Sequence, residues 1–407
     1  MEKRSCSEIQ ICEVQQCTGC FACKAICPKQ AIIEVEDEYG KTIPQIDEEK
    51  CVGCGLCSKV CPVCKPREVR HPKKCYAAWT KWDQDRVNCA SGGIATGIGR
   101  YFIEQGGVVF GSKFTGVDEL KCEISMAATM EELEDFKSSK YVQVSTGNSY
   151  QKAKEQLELG IQVLYVGTPC QIAGLLNFLR KDYENLTTMD LICHGVPPMK
   201  YLQEYAKAVA DCKVTRATFR GRNDFMICLY QDGETQKNDV SCYRQYCYKD
   251  YYYEAFLRGL IYRDNCYQCQ YAKTQRVADI TIGDFWGLDK DTLKHSYDGR
   301  ISEVLIHTPQ GEKIFSQCEK YFVYEERKLE EAVAGNEQLR SPSPIHPDCG
   351  IFKEKVREHG FVKAVKATRV GATVQKNVLA DRKWIKAMRK IKRIVKRIYT
   401  LGRKEVK

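Results

Sequence analysis

Short apolar runs bounded by glycine alternate along most of the chain with longer stretches of helical period. Gly107–Gly111, Ile161–Val166, Met189–Ile192 and Ile280–Ile282 read as buried strands. Ile94–Gln105 ends at Gly106-Gly107, Tyr150–Leu159 ends at Gly160, and Ile172–Lys181 follows a strand directly, so each reads as a helix. Strand, loop and helix in that order predict an α/β or α+β body from Tyr76 to about Tyr324. Ahead of it, Ile32, Ile33 and Val35 and then Thr42–Ile46 form two short strands. Ser341-Pro342-Ser343-Pro344 marks a linker to a detachable appendage. In its tail Trp384, Met388, Ile391, Val395 and Ile398 recur at steps of four and three, with Arg389, Lys390, Lys392, Arg393, Lys396 and Arg397 between them, which predicts a basic amphipathic helix. The expected boundaries are 1–75, 76–160, 161–345 and 346–407, the middle two forming one domain.

Charge changes this picture little. The 407 residues carry a net +10, but 382–407 hold 12 Lys or Arg against Glu405 alone, so the body is close to neutral. No basic stripe runs through it, and nucleic acid is not expected as a partner. The tail helix suits an anionic membrane surface, an acidic partner groove, or its own body. No apolar run is long enough to span a bilayer and no secretory leader opens the chain, so the expectation is a soluble cytoplasmic protein, peripheral at most to the inner face of the membrane.

The 24 cysteines change it most. They are too sparse for a disulfide-knotted mini-protein, and twelve fall at motif positions. Cys17-x2-Cys20-x2-Cys23-x3-Cys27-Pro28 recurs in full as Cys51-x2-Cys54-x2-Cys57-x3-Cys61-Pro62. Three closely spaced thiolates wrap one face of a cubane cluster while the fourth reaches the other cluster. Cys17, Cys20, Cys23 and Cys61 are therefore expected to hold one [4Fe-4S] cluster, and Cys51, Cys54, Cys57 and Cys27 a second, as in two-cluster bacterial ferredoxins. Zinc sites use separated pairs and often His, which this run does not match. Cys6, Cys12, Cys64 and Cys75 lie outside the pattern and read as idle thiols.

The body carries a second set: Cys170 after Thr168-Pro169, Cys193 before His194-Gly195, and Cys266-x2-Cys269. Cys170 and Cys193 stand just past strand ends, where α/β sheets place ligands. From spacing alone, a third metal site, two core thiols, a zinc knuckle and a redox pair all stay open. No G-x-G-x-x-G follows a strand, and no G-x4-G-K-[ST] or C-x-x-C-H occurs, so neither nicotinamide binding, nucleotide hydrolysis nor c-type haem is indicated.

Gly167-Thr168-Pro169-Cys170-Gln171-Ile172-Ala173-Gly174-Leu175, Cys193-His194-Gly195, Cys266-Tyr267-Gln268-Cys269 and Asp279-Ile280-Thr281-Ile282-Gly283-Asp284-Phe285-Trp286-Gly287 resemble the coenzyme F420 hydrogenase/dehydrogenase beta-subunit family. Ala90-Ser91-Gly92-Gly93-Ile94-Ala95-Thr96-Gly97 is similar to that family's early flavin-binding loop, and Ser138-Ser139-Lys140-Tyr141 extends the likeness. The resemblance implies a noncovalent FAD and one body [4Fe-4S] cluster on Cys170, Cys193, Cys266 and Cys269. Ser91, Gly92 and Gly93 would open a helix whose amides face a pyrophosphate, against the alternative of an ordinary Ser N-cap. Lys140 would pair with a phosphate or a flavin edge, against a solvated turn lysine. No catalytic residue is assigned: Asp284 reads as strand-end motif, His194 as structural, and the stretch Tyr243, Tyr246, Tyr248, Tyr251, Tyr252 and Tyr253 as a packed wall.

The expected chain is an N-terminal ferredoxin-like module, a mixed α/β flavin and iron–sulfur domain, and a basic C-terminal helix. The expected function joins a small-molecule hydride donor or acceptor at FAD to one-electron clusters and a redox partner protein, either a ferredoxin or an oxidoreductase subunit. The alternative is an electron-transfer subunit or adaptor without its own substrate.

Overall fold

The computed structural model describes residues 11–117, 119–221, 224–231, 240–297 and 299–381. The basic tail helix expected over 384–398 lies outside the described residues. Among them, no helix is long and apolar enough to cross a membrane.

Thirteen strands are described. β1 (Ile32–Glu36) and β2 (Thr42–Ile46) pair antiparallel in the module. The body strands are β3 (Lys74–Thr80), β4 (Val108–Phe114), β5 (Cys122–Ala127), β6 (Val163–Gly167), β7 (Leu186–Leu191), β8 (Val214–Arg220), β9 (Phe225–Gln231), β10 (Val240–Tyr246), β11 (Ile280–Asp284), β12 (Ser302–Ile306) and β13 (Phe322–Glu326). Eight of them form one sheet in the order β13-β3-β12-β11-β7-β6-β4-β5, while β8, β9 and β10 form a separate antiparallel sheet. β4, β6, β7 and β11 run parallel at the centre of the large sheet. Buried on both faces, such strands need near-continuous apolar sequence, and these four are the body strands the pattern predicts. The antiparallel flanks, whose short stretches mix charged and apolar residues, lack that signal.

The helices Ile94–Glu104, Ser149–Glu158 and Pro169–Leu179 stand close to where glycine stops and apolar period put them. The last begins earlier than expected, because Pro169 fits the first helical position and Thr168 with Gln171 completes a capping box.

Two packing features set the site. Cys20, Ala22 and Val60 of the module share one core with Val108, Phe110, Tyr150, Tyr165 and Ile172 of the body. The module is thus seated on the helices Ser149–Glu158 and Pro169–Leu179. The segment after the Ser-Pro repeat is packed as well: Cys349, Phe352, Val356, Phe361 and Val365 enter the core that holds Tyr201, Tyr205 and Tyr252. Ser343 is buried and donates to the His194 carbonyl at 2.8 Å. This corrects the detachable-appendage expectation for residues up to 381: the prolines break helix, yet apolar faces on the helices Cys349–His359 and Phe361–Lys366 hold the segment on the body.

Candidate functional site

The two cysteine runs of the module share one backbone shape. Gly19 and Gly53 have φ of +66° and +67°, and Phe21 and Gly55 have φ of +53° and +65°, each left-handed residue preceding a short helix, Ala22–Ile26 or Leu56–Val60. Such alternation turns successive amides inward, a concavity suited to anionic sulfur. Two hollows result. One is lined by Cys27, Cys51, Cys54 and Cys57 together with Ile32 and Ile46. The other is lined by Cys17, Cys20, Cys23 and Cys61, and by Cys12. The fourth cysteine of each run thus faces the first three of the other run. The first hollow is the outer one, with Cys54 exposed; in the inner one Cys17, Cys20, Cys23 and Cys61 are buried.

Cys12, read as idle from the sequence, is a fifth thiol of the inner hollow. Its hydrogen bonds to Cys17 and Cys61 pull those thiols down to about 7 and about 6, and raise its own pKa far above the usual thiol range. Cys12 is therefore the donor and the two motif cysteines the acceptors. Distance from the repeat hid it. Cys6 lies outside the described residues.

The structure brings the four body cysteines together. Cys170 is the second residue of the helix Pro169–Leu179, Cys193 follows β7 by two residues, and Cys266 and Cys269 lie in and just after the 3-10 turn Asp264–Gln268. Cys193 interacts electrostatically with Cys266, Cys170 and Cys269, and burial pushes its thiol well above the usual range. Burial also raises Cys170 to about 11 and Cys266 to about 12. Thiols so desolvated become ligands only when a metal replaces their protons. Among the described residues no three His, Cys, Asp or Glu side chains gather around one point as a single-ion site does.

The inner hollow abuts this set. Cys20 feels Cys170, and a Cβ added to Gly174, one helical turn after Cys170, would stand 3.0 Å from the Cys20 Sγ and 2.8 Å from the Tyr150 Oη. Tyr150 is buried between them and donates to the Gln171 carbonyl at 2.8 Å.

On the far side of Cys193 opens a cavity of about 280 Å³. Cys193, His194, Gly167, Thr168, Ile94 and Trp286 are among the residues lining it. The helix Ile94–Glu104 begins at its wall, and the first amides of a helix have no partner within it. Ser138, with a left-handed φ of +70°, and Asp284, at the end of β11, each bring to this cavity a buried oxygen without a hydrogen-bond partner. Arg220 closes one side, paired with Asp284 at 2.7 Å and donating to the Tyr141 hydroxyl at 2.7 Å.

Three expectations need correction here. Gly92 does not line the cavity: its amide donates to the Ser302 Oγ at 2.9 Å, and an added Cβ would stand 2.5 Å from the Ala78 carbonyl. Ser91 donates to the Ile301 carbonyl at 3.1 Å, so both residues serve the turn onto β12, and only Ser91 and Gly93 reach the cavity wall. Lys140 lines the cavity, but its ammonium donates to the carbonyls of Asp135, Phe136, Lys137 and Ser138 at 2.7–3.3 Å, and burial lowers it to about 8. A helix C-terminus, that of Met130–Glu134, claims the charge. His194 opens onto cavity solvent, and the protein around it holds its imidazole below the usual value, so it is neutral at pH 7. The tyrosines behave as packing: Tyr252 and Tyr253 are fully buried, Tyr243 and Tyr205 bond Asp250, and Tyr246 and Tyr248 stack outside the cavity.

A thiol-lined dicluster module whose inner hollow meets a second cysteine set at the rim of a cavity defines an iron–sulfur protein of oxidoreductase type, and residues 16–64 match the 4Fe-4S dicluster domain. Residues 161–332 match the family described as coenzyme F420 hydrogenase/dehydrogenase, C terminus of the beta subunit, so the body belongs to that family. A search of curated proteins finds no match. A solved chain from the F420-reducing [NiFe] hydrogenase complex of Methanosarcina barkeri is 18% identical over 74% of this chain and 92% of its own, with a TM-score of 0.39, too low to bear on fold or function.

Proposed function

We propose that the chain is an FAD- and iron–sulfur-dependent oxidoreductase that moves electrons between a two-electron carrier at the cavity and one-electron partners at the module. The observation that carries this reading is the unbroken order of outer hollow, inner hollow, body cysteines and cavity, with Cys193 belonging to both of the last two.

The residues divide the work accordingly. Cys51, Cys54, Cys57 and Cys27 hold the outer cluster, where exposed Cys54 and Val52 leave room for a ferredoxin or an oxidoreductase subunit to approach. Cys17, Cys20, Cys23 and Cys61 hold the inner cluster, and Cys170, Cys193, Cys266 and Cys269 a third. The free amides opening the helix Ile94–Glu104 suit a pyrophosphate, Gly93 gives them access, and the unpartnered Ser138 Oγ offers a hydrogen bond to the cofactor. FAD, when bound, exchanges a hydride with an organic carrier and single electrons with clusters. Lys140 keeps the Ser138–Tyr141 segment in place, and the Arg220–Asp284 pair fixes the cavity side where coenzyme F420 or another hydride carrier would enter.

Reduced methyl viologen mixed with the anaerobic full chain tests the path. Electrons should reach the bound flavin in the wild type, whereas Cys193→Ala should leave the module reducible and the flavin oxidised. Equal flavin reduction in the variant contradicts the reading.

A further inference from the structure

Arg263 is among the largest side chains fully shut off from solvent. It stands three residues before Cys266 and belongs to no motif. Its guanidinium donates to the Thr42 carbonyl at 3.0 Å and the Cys17 carbonyl at 3.1 Å in the module, and to Gln143 Oε1 at 2.5 Å and Asn265 Oδ1 at 3.3 Å in the body. The fork therefore spans the junction. A Cβ on Gly19 would lie 3.1 Å from its Nη2, so the first cysteine loop is pressed onto it.

These four acceptors are neutral oxygens, and the neighbouring carboxylate of Asp264 pairs instead with Lys41 and Lys353. A buried cation is costly unless an anion answers it. Here the charge acts on Cys17 from one side and on Cys170 and Cys266 from the other. Thiolate-ligated clusters are anionic and gain negative charge on reduction, and charge nearby is one of the factors that set their potentials.

We propose that Arg263 is a positioning residue shared by the inner module cluster and the body cluster, raising the reduction potentials of both while its fork fixes one against the other. The outer cluster, across the module, escapes this charge. The proposal rests on the reading that both cysteine sets hold clusters.

The test is an EPR-monitored potentiometric titration of the anaerobic full chain, with iron counted, for wild type, Arg263→Gln and Arg263→Lys. Arg263→Gln should lower two of the three midpoints and leave the third, at wild-type iron content. Arg263→Lys, which keeps the charge and loses the fork, should hold its midpoints near wild type while weakening the spin coupling between the two clusters. No shift in Arg263→Gln, or an equal shift in all three, overturns the proposal. Should Arg263→Gln lose iron, Arg263→Lys decides, and wild-type coupling in it overturns the proposal. A wild-type count of about eight irons, the content of the module alone, overturns the cluster reading beneath it and is separable from a failure of the charge.

Discussion

Cys12 and Glu303 show what single residues add to the cysteine motifs. Because the Cys12 thiol donates to both Cys17 and Cys61, it should stabilise the reduced inner cluster, whose sulfurs carry more negative charge. Cys12→Ala should therefore keep the iron content and lower one midpoint in a redox titration, and Cys12→Ser, which retains a donor, should lower it less. Loss of about four irons would instead make Cys12 a ligand. Glu303 is fully buried on β12, with Oε1 unpartnered and Oε2 accepting from Asn336 at 2.5 Å, and burial raises it to about 8. The unfolded carboxyl titrates at about 4.3. Between these values the folded chain binds the extra proton, so stability falls as pH rises through that window, by up to about a few kcal/mol. Thermal melts of Glu303→Gln against wild type should show a shallower fall from about pH 5 to about pH 8, and parallel curves would count against it. Neither residue carried a sequence signal: one lies outside a repeat, and the other sits on a strand whose partners are set only by the sheet.

At the scale of elements, legibility followed how local each constraint is. Cluster ligation forces a spacing within a few residues, so Cys17 to Cys27 and Cys51 to Cys61 announce themselves. Cys170, Cys193 and the Cys266 pair are joined only by the order of β6, β7 and β11 in the sheet, and needed the family resemblance to be grouped. Gly92 and Lys140 misled because a glycine turn and a lone lysine read alike whether they serve a ligand or a neighbouring strand or helix end. The helix Pro169–Leu179 makes the closest join, at Gly174. Gly174→Ala should push Cys20 and Tyr150 aside, costing about 1–3 kcal/mol by thermal or denaturant unfolding and weakening the magnetic coupling between inner and body clusters. Wild-type stability and coupling would mean that the module does not press on this helix. The C-terminal helices make a second join. Phe352→Ala, deep in the Tyr201 and Phe361 cluster, should cost about 3–5 kcal/mol in the same assay, where a detachable segment would cost close to nothing.

For the whole molecule, a shared core decides the architecture. The module is docked, so its inner hollow lies against the helix that carries Cys170, and electrons have a fixed route from an exposed outer rim to an enclosed cavity. A two-electron carrier and one-electron clusters need a converter between them, and the cavity beside Cys193 is where the chain offers one a seat. The most direct measurement is anaerobic purification followed by counts of iron, acid-labile sulfide and released flavin per chain. The account predicts about twelve irons and one FAD, whereas about eight irons and no flavin would contradict it and leave a dicluster module docked on a body of other purpose.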